Sequence, residues 1–169
     1  MTCKKIGHKV SKVIAIRKAR KDEAQEIWDI RSAAIRSQCI GHYSSVELEV
    51  WTGGETTKEF IETVESSFYV ATIDRCVVGS GMINLEYGKV DAIFVHPNHM
   101  RTGIGRQVLL HLEKLALEAG VTALSLESTL NAVTFYRAHG FVGDSIAKYV
   151  SPRGITLDCI PMVKSLLNI

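Results

Sequence analysis

The chain has 169 residues, of which 46% are hydrophobic and only three are proline, and its formal net charge is +2. That length and composition exclude an intrinsically disordered protein and suit one domain with a sizeable core, spanning residues 1–169. The balanced charge by itself argues neither for nor against nucleic acid, and no nucleic-acid partner is expected. No apolar run is long enough for a membrane span, so no membrane partner is expected either.

The N-terminal stretch MTCKKIGHKVSKV is basic but lacks an apolar centre, so it is not a secretory signal; residues 1–12 read as a frayed or extended terminus. VIAI at 13–16 is a short β-like run. KDEAQEIWDIRSAAIRSQC opens with Asp22 and Glu23, where a helix N-terminus favours negative charge, and Ala24, Ile27, Trp28 and Ile35 recur at helical spacing. SVELEVW at 45–51 predicts a short helix capped by Ser44 or Ser45, broken by Gly53 and Gly54. A further helix starts at Thr56 or Thr57 and carries Phe60, Ile61 and Val64.

The period then changes. Residues 68–73 and 76–85, around a turn at Asp74-Arg75, read as an antiparallel hairpin, and 90–95 as a third strand ended by Pro97. HMRTGIG leads into a helix with an apolar stripe of Val108, Leu109, Leu112, Leu115 and Ala116, stopped at Gly120. Strand 122–126 completes a βαβ unit and hence a parallel pair. Residues 131–139 read as a short helix, 141–142 and 146–150 as strand, and 155–160 as a last strand ended by Pro161. The fold class is α+β: hairpins early, one crossover, a hairpin-like end.

The four cysteines are scattered and contain no CxxC, so all four read as reduced thiols of a cytoplasmic protein. His96 and His99 sit close together in HPNH, but without visible partners they read as loop residues, and no metal is expected.

HMRTGIGRQV, with Gly103 and Gly105 before a helix, has the look of a phosphate loop. It is not a P-loop, because Arg106-Gln107 stands where Lys-Ser/Thr is required. A dinucleotide fingerprint fails too: Glu127 could serve as its acid, but Val108 replaces the third glycine and the preceding strands are hairpin-paired. Two blocks point elsewhere. DAIFVHPNHMRTGIGRQVLLHLEKLA and LESTLNAVTFYRAHGFV resemble the GNAT superfamily of acetyl-CoA-dependent N-acetyltransferases, and the similarity runs from 13 to 164. The first matches the family's strand, pyrophosphate loop (Q/R-x-x-G-x-G/A) and helix. The second matches its later N-x-x-A-x-x-F-Y-x-x-x-G-F pattern, with slightly different spacing around Ala. Met100 occupies the usual basic slot, with Arg101 one place later.

The resemblance implies a mixed, mostly antiparallel central sheet with one splayed parallel pair, flanked by helices. It implies acetyl-CoA as co-substrate, bound by Phe94, Val95, Arg101, Thr102, Gly103, Ile104, Gly105, Arg106, Asn131 and Tyr136. Pyrophosphate would rest mainly on backbone N–H groups at the helix N-terminus. The Val95 N–H is the expected oxyanion donor and Tyr136 the general acid for the departing thiolate. Asn131 reads equally as a cofactor contact or a helix N-cap. Asp91 reads equally as the general base or as a solvated or hydrogen-bonded strand residue, with Glu86, Glu127 or a water chain as competitors for the base; it alternates with Ile93 and Val95 and so should share their face. His42, Tyr43 and Trp51 are candidates for the acceptor site, with a buried helix junction the blander reading of Trp51. The expected activity is transfer of acetyl to a primary amine, first of a small molecule, second of a protein N-terminus or lysine. A non-catalytic acyl-CoA-binding module is the reading from another class, and a homodimer is a possible assembly.

Overall fold

Turn chemistry and alternation build one seven-stranded sheet, in which strands β1 (Ala15–Lys18), β2 (Phe68–Ile73), β3 (Cys76–Asn84), β4 (Lys89–Val95), β5 (Ala123–Ser128), β6 (Ala147–Val150) and β7 (Thr156–Ser165) stand in the order β1-β2-β3-β4-β5-β7-β6. The computed structural model describes residues 13–167. β2 (Phe68–Ile73) and β3 (Cys76–Asn84) are joined through Asp74 and Arg75, whose φ angles of 50° and 66° are those a two-residue hairpin turn demands. β1 (Ala15–Lys18) adds antiparallel to β2, two residues later than the 13–16 run suggests. β4 (Lys89–Val95) pairs antiparallel with β3. Its pairing with β5 (Ala123–Ser128) is parallel and confined to Lys89 opposite Ser125, so the two strands splay.

Helices cover both faces. α1 (Ala24–Gln38) follows a 3-10 turn at Lys21–Glu23, and α3 (Lys58–Ser67) follows Thr57, whose hydroxyl accepts from the Phe60 N–H. Between them, α2 (Ser45–Thr52) is set by a reciprocal cap: Ser44 Oγ accepts from the Glu47 N–H and the Glu47 carboxylate accepts from the Ser44 N–H. Ile27, Ile30, Val64, Phe68 and Val70 close the core on this face. On the other face α4 (Ile104–Glu118) buries Val108, Leu109, Leu112 and Ala116 against Val90, Leu124, Leu126 and Met162. Full burial of each such aliphatic side chain contributes about 1.5–3 kcal/mol. The partly buried Lys164–Glu113 ion pair, 2.6 Å, ties α4 to the last strand.

The C-terminal part departs from expectation. α5 is shorter than 131–139, running Val133–Ala138, and Val142 makes a single bridge to Val163 instead of a strand. β6 (Ala147–Val150) is followed by β7 (Thr156–Ser165), which continues through Pro161. Proline is tolerated there because β7 has by then left β6 and pairs with β5, Pro161 lying opposite Glu127.

The cysteine reading is also corrected. Cys39 and Cys159 are buried thiols, whereas Cys76 is disulfide-bonded. Disulfides follow spatial proximity, which scattered spacing does not exclude; Cys3 lies outside the described residues. No helix among the described residues is long and apolar enough to cross a membrane.

Candidate active site

The splay between β4 and β5 creates the site. His96 donates its N–H to the Val78 carbonyl at 2.8 Å. Bonded and non-bonded pairs alternate along an antiparallel ladder. The Val95–Gly79 and Ile93–Gly81 pairs are therefore of the non-bonded kind. Their backbone N–H and C=O groups turn away from β3, toward a β5 that no longer pairs with them. This is an open strand edge of the sort that receives an extended, amide-bearing chain.

That edge runs into the glycine loop. Pro97–His99 form a 3-10 turn, and Thr102 Oγ1 donates to the His99 carbonyl at 2.5 Å. Arg101 (φ 59°) and Gly103 (φ 85°) are both left-handed, and Gly103 is the N-cap of α4. The first rung of the α4 ladder is Gln107 N–H to Gly103 C=O, 3.0 Å. The N–H groups of Ile104, Gly105 and Arg106 precede that rung and form an anion-binding helix terminus. Gly105 carries no side chain between this terminus and the Phe135 ring, which a Cβ would meet at 3.6 Å.

Edge and loop border a cavity of about 490 Å³. Phe94, Val95, Arg101, Gly103, Ile104, Gly105, Arg106, Asn131 and Tyr136 all line it, together with Met100 and Cys39. Thr102 does not; it is exposed, and its hydroxyl braces the loop from within. An elongated anion with amide groups fits this donor set: exposed strand amides at one end, helix-terminal N–H groups and two arginines at the other.

Tyr136 is buried, its ring edge-on to Phe135 and Phe141 at 5.1 and 5.6 Å. Burial pushes its phenol above the ordinary tyrosine range, which keeps it protonated and able to donate. Asn131 is not a cap, because Ala132 holds that position in α5. Its carbonyl oxygen instead accepts from Cys39 Sγ at 3.3 Å. Burial raises that thiol to about 11, so Cys39 is a donor and no ready nucleophile.

Asp91 requires a correction. Met82 pairs with Ala92, and the next residue, Ile83, pairs with Val90. Asp91 is thus the extra residue of a β-bulge, and the alternation with Ile93 and Val95 is broken. Val90, not Asp91, joins Ile93 and Val95 in the core beneath α4. Asp91 lies outside the cavity, 3.5 Å from Lys89 Nζ, which in turn is 3.1 Å from Glu127. Burial raises the Asp91 carboxyl, and Lys89 partly offsets this. Glu86 is in the β3–β4 turn, its N–H donating to Asn84.

Tyr149 on β6 and Phe94 on β4 pack against one cluster, and the Phe94 ring stands 6.0 Å from the Arg31 guanidinium on α1. Arg31 is largely buried: both terminal nitrogens donate to the Trp51 carbonyl, at 3.1 and 3.2 Å, and its guanidinium stands 4.6 Å from the Trp28 ring. Arg153, in the β6–β7 loop, approaches the same ring at 4.3 Å. Neither arginine stood out in the sequence, although Arg31 is four residues from both Ile27 and Ile35, a charge on an apolar helical stripe.

The residues expected to line the acceptor site behave differently. Tyr43 is buried against Trp51 at 5.5 Å; its hydroxyl donates to the Asp158 carbonyl (2.7 Å) and accepts from the Leu130 N–H (3.1 Å). Trp51 is core, as its blander reading has it, and His42 is exposed. Tyr43 is a strut that holds the loop before Asn131.

Comparison with known proteins agrees with this geometry. Residues 39–166 match the acetyltransferase (GNAT) domain family. A peptidyl-lysine N-acetyltransferase, YjaB of Salmonella typhimurium, is 30% identical over 132 residues, covering 76% of this chain and 83% of that protein. Two other curated relatives are matched over only 56% and 53% of their lengths, so the chain spans about half of each. A GCN5-related N-acetyltransferase structure from Rhodopseudomonas palustris superimposes with a TM-score of 0.84 at 25% identity, covering 95% of this chain and all of that one. The PaiA N-acetyltransferase from Thermoplasma acidophilum, solved with coenzyme A, shares the fold at a TM-score of 0.71 and 21% identity, over 90% and 99% of the two chains. The splayed sheet, the glycine loop and the family match together place this chain in the GNAT acetyltransferase family.

Proposed function

We propose that the protein transfers an acetyl group from acetyl-CoA to a primary amine of a small molecule, by direct attack without an acyl-enzyme. The observation that carries this is the open edge at Ile93 and Val95, leading into the α4 N-terminus with Tyr136 on the same cavity. Pantetheine amides would pair with the edge and pyrophosphate with the N–H groups of residues 104–106. As the amine nitrogen bonds to the thioester carbon, the Val95 N–H faces the developing oxyanion, a preorganised contribution of about 3 kcal/mol. The C–S bond breaks, Tyr136 gives its proton to the thiolate, and Asp91 or Glu127 takes the proton that the amine loses. Asp91 retains this role in the proposal despite its bulge, because it shares Lys89 with Glu127 on the strand that the pantetheine would follow.

A peptidyl-lysine acceptor is the second reading, supported by the printed activity of the Salmonella relative. Thiol release from acetyl-CoA, followed with small amines and with lysine peptides in parallel, separates the two. Tyr136→Phe should lower kcat by about 100-fold or more, within the usual range for a general acid, while the CoA-induced rise in Tm persists. An unchanged kcat would remove Tyr136 from the reaction.

A further inference from the structure

The α1 side of the sheet holds two guanidiniums that have no counter-charge within 4 Å among the described residues. Arg31 and Arg153 crowd the Trp28 ring at 4.6 and 4.3 Å, held by backbone carbonyls: Arg31 by that of Trp51, Arg153 by that of Glu55 at 3.1 Å. Among the described residues neither has a carboxylate within 4 Å. Arg17, by contrast, is bonded to the buried Glu23 at 2.6 Å. Burial, and then the charge of Arg153, lowers the Arg31 guanidinium to about 10. Two like charges held against one ring and partly withdrawn from water are costly unless an anion completes them. A guanidinium fork is the group that matches a carboxylate or phosphate in bidentate fashion.

The opposite end of this region carries the other sign. Asp91 and Glu127 flank a single Lys89, leaving one net negative charge beside β4. Phe94, on the same strand as Asp91, stands 6.0 Å from the Arg31 guanidinium and packs with Tyr149 against one cluster. The region is therefore polarised, negative near the open strand edge and positive between α1 and the β6–β7 loop.

We propose that the acceptor is an anionic amine, whose carboxylate or phosphate is gripped by Arg31 and Arg153 while its amino group lies toward Asp91 and Glu127. This rests on the acetyltransferase reading and narrows it. Polyamine-like or aminoglycoside-like acceptors, which bring only positive charge, are disfavoured by the same two arginines.

The test uses matched pairs on the intact protein with saturating acetyl-CoA. The protein amino acids are compared with their α-carboxamides, and O-phosphoethanolamine with ethanolamine. Expected is a preference of tenfold or more in kcat/KM for the anionic member of at least one pair; which pair shows it tells carboxylate from phosphate. Arg153→Gln should collapse that preference toward unity, and Arg153→Lys should restore part of it, whereas a merely structural role would lower both members equally. Tryptophan fluorescence of the CoA-loaded protein, titrated with the same pairs, reads binding through Trp28 independently of turnover. No anionic preference in either assay overturns the proposal, and so does an unaltered preference in Arg153→Gln. Failure of CoA to raise Tm in the wild-type protein would instead overturn the acetyltransferase reading beneath it.

Discussion

The two sides of the β4 edge are built by different means. On the α4 side the groups left open for a ligand in our proposal are backbone: the amides of Ile93 and Val95, and the N–H groups of residues 104–106. Their placement needs glycines, a strand and a helix start in fixed succession, which is why that side carries a motif. On the α1 side the polar groups are side chains from α1, β4, β5, β6 and the β6–β7 loop: Arg31, Asp91, Glu127, Tyr149 and Arg153. No local spacing relates them. A fold can thus hold one cosubstrate by shape and backbone while leaving acceptor choice to a handful of scattered side chains.

If this contrast is right, the α4 side should be lost through packing and the α1 side through individual polar contacts. Leu112 is fully buried under the sheet. Leu112→Ala should cost about 2–5 kcal/mol in urea denaturation, the largest single effect expected here. Tyr43→Phe comes next. It strands the Asp158 carbonyl and the Leu130 N–H in a partly buried junction, at a cost of about 1–3 kcal/mol. Because Leu130 precedes Asn131 on the cavity, the same variant should also raise the KM for acetyl-CoA. A stability loss with KM unchanged would confine Tyr43 to the acceptor side and sharpen the division.

Much of the α4 side was legible in the sequence for that reason. The turn at Asp74-Arg75, the apolar stripe of α4 and the loop glycines each obey a local rule, and the structure keeps them. The misread features depend on partners distant in the chain. Pro161 does not end β7, because the strand exchanges β6 for β5 at that point. Asp91 does not alternate with Ile93, because a bulge set by the register against β3 adds one residue. Tyr43 looked available for an acceptor, yet its hydroxyl is consumed by two backbone groups, whereas Trp51 is the buried helix junction that the sequence favoured. Arg153 had no signal at all; only the β6–β7 loop brings it to Trp28.

A smaller effect probes the acidic end of the α1 side. Burial lifts the Asp91 carboxyl and Lys89 draws it back down. A base must be ionised to act, so kcat/KM should fall as pH drops through the Asp91 value, with a limb above the ordinary aspartate range. Lys89→Met removes the lowering influence and should move that limb to higher pH. A limb that stays in place, or moves only in Glu127→Gln, would transfer the base role away from Asp91.

The smallest effect tests the backbone claim itself. Arg101 follows Met100, which stands in the family's basic slot, and its φ of 59° is unfavourable for a side chain. Arg101→Gly relieves that strain but enlarges the freedom of the unfolded chain, so stability should rise by no more than about 1 kcal/mol. The exposed guanidinium contributes a screened attraction to a phosphate of about 0.2–1 kcal/mol, so the KM for acetyl-CoA should rise less than about fivefold. Raising the salt concentration should narrow even that difference. A rise of a hundredfold would mean that charge, and not the N–H groups of residues 104–106, holds the pyrophosphate, and the contrast between a backbone-built side and a side-chain-built side would lose its clearest instance.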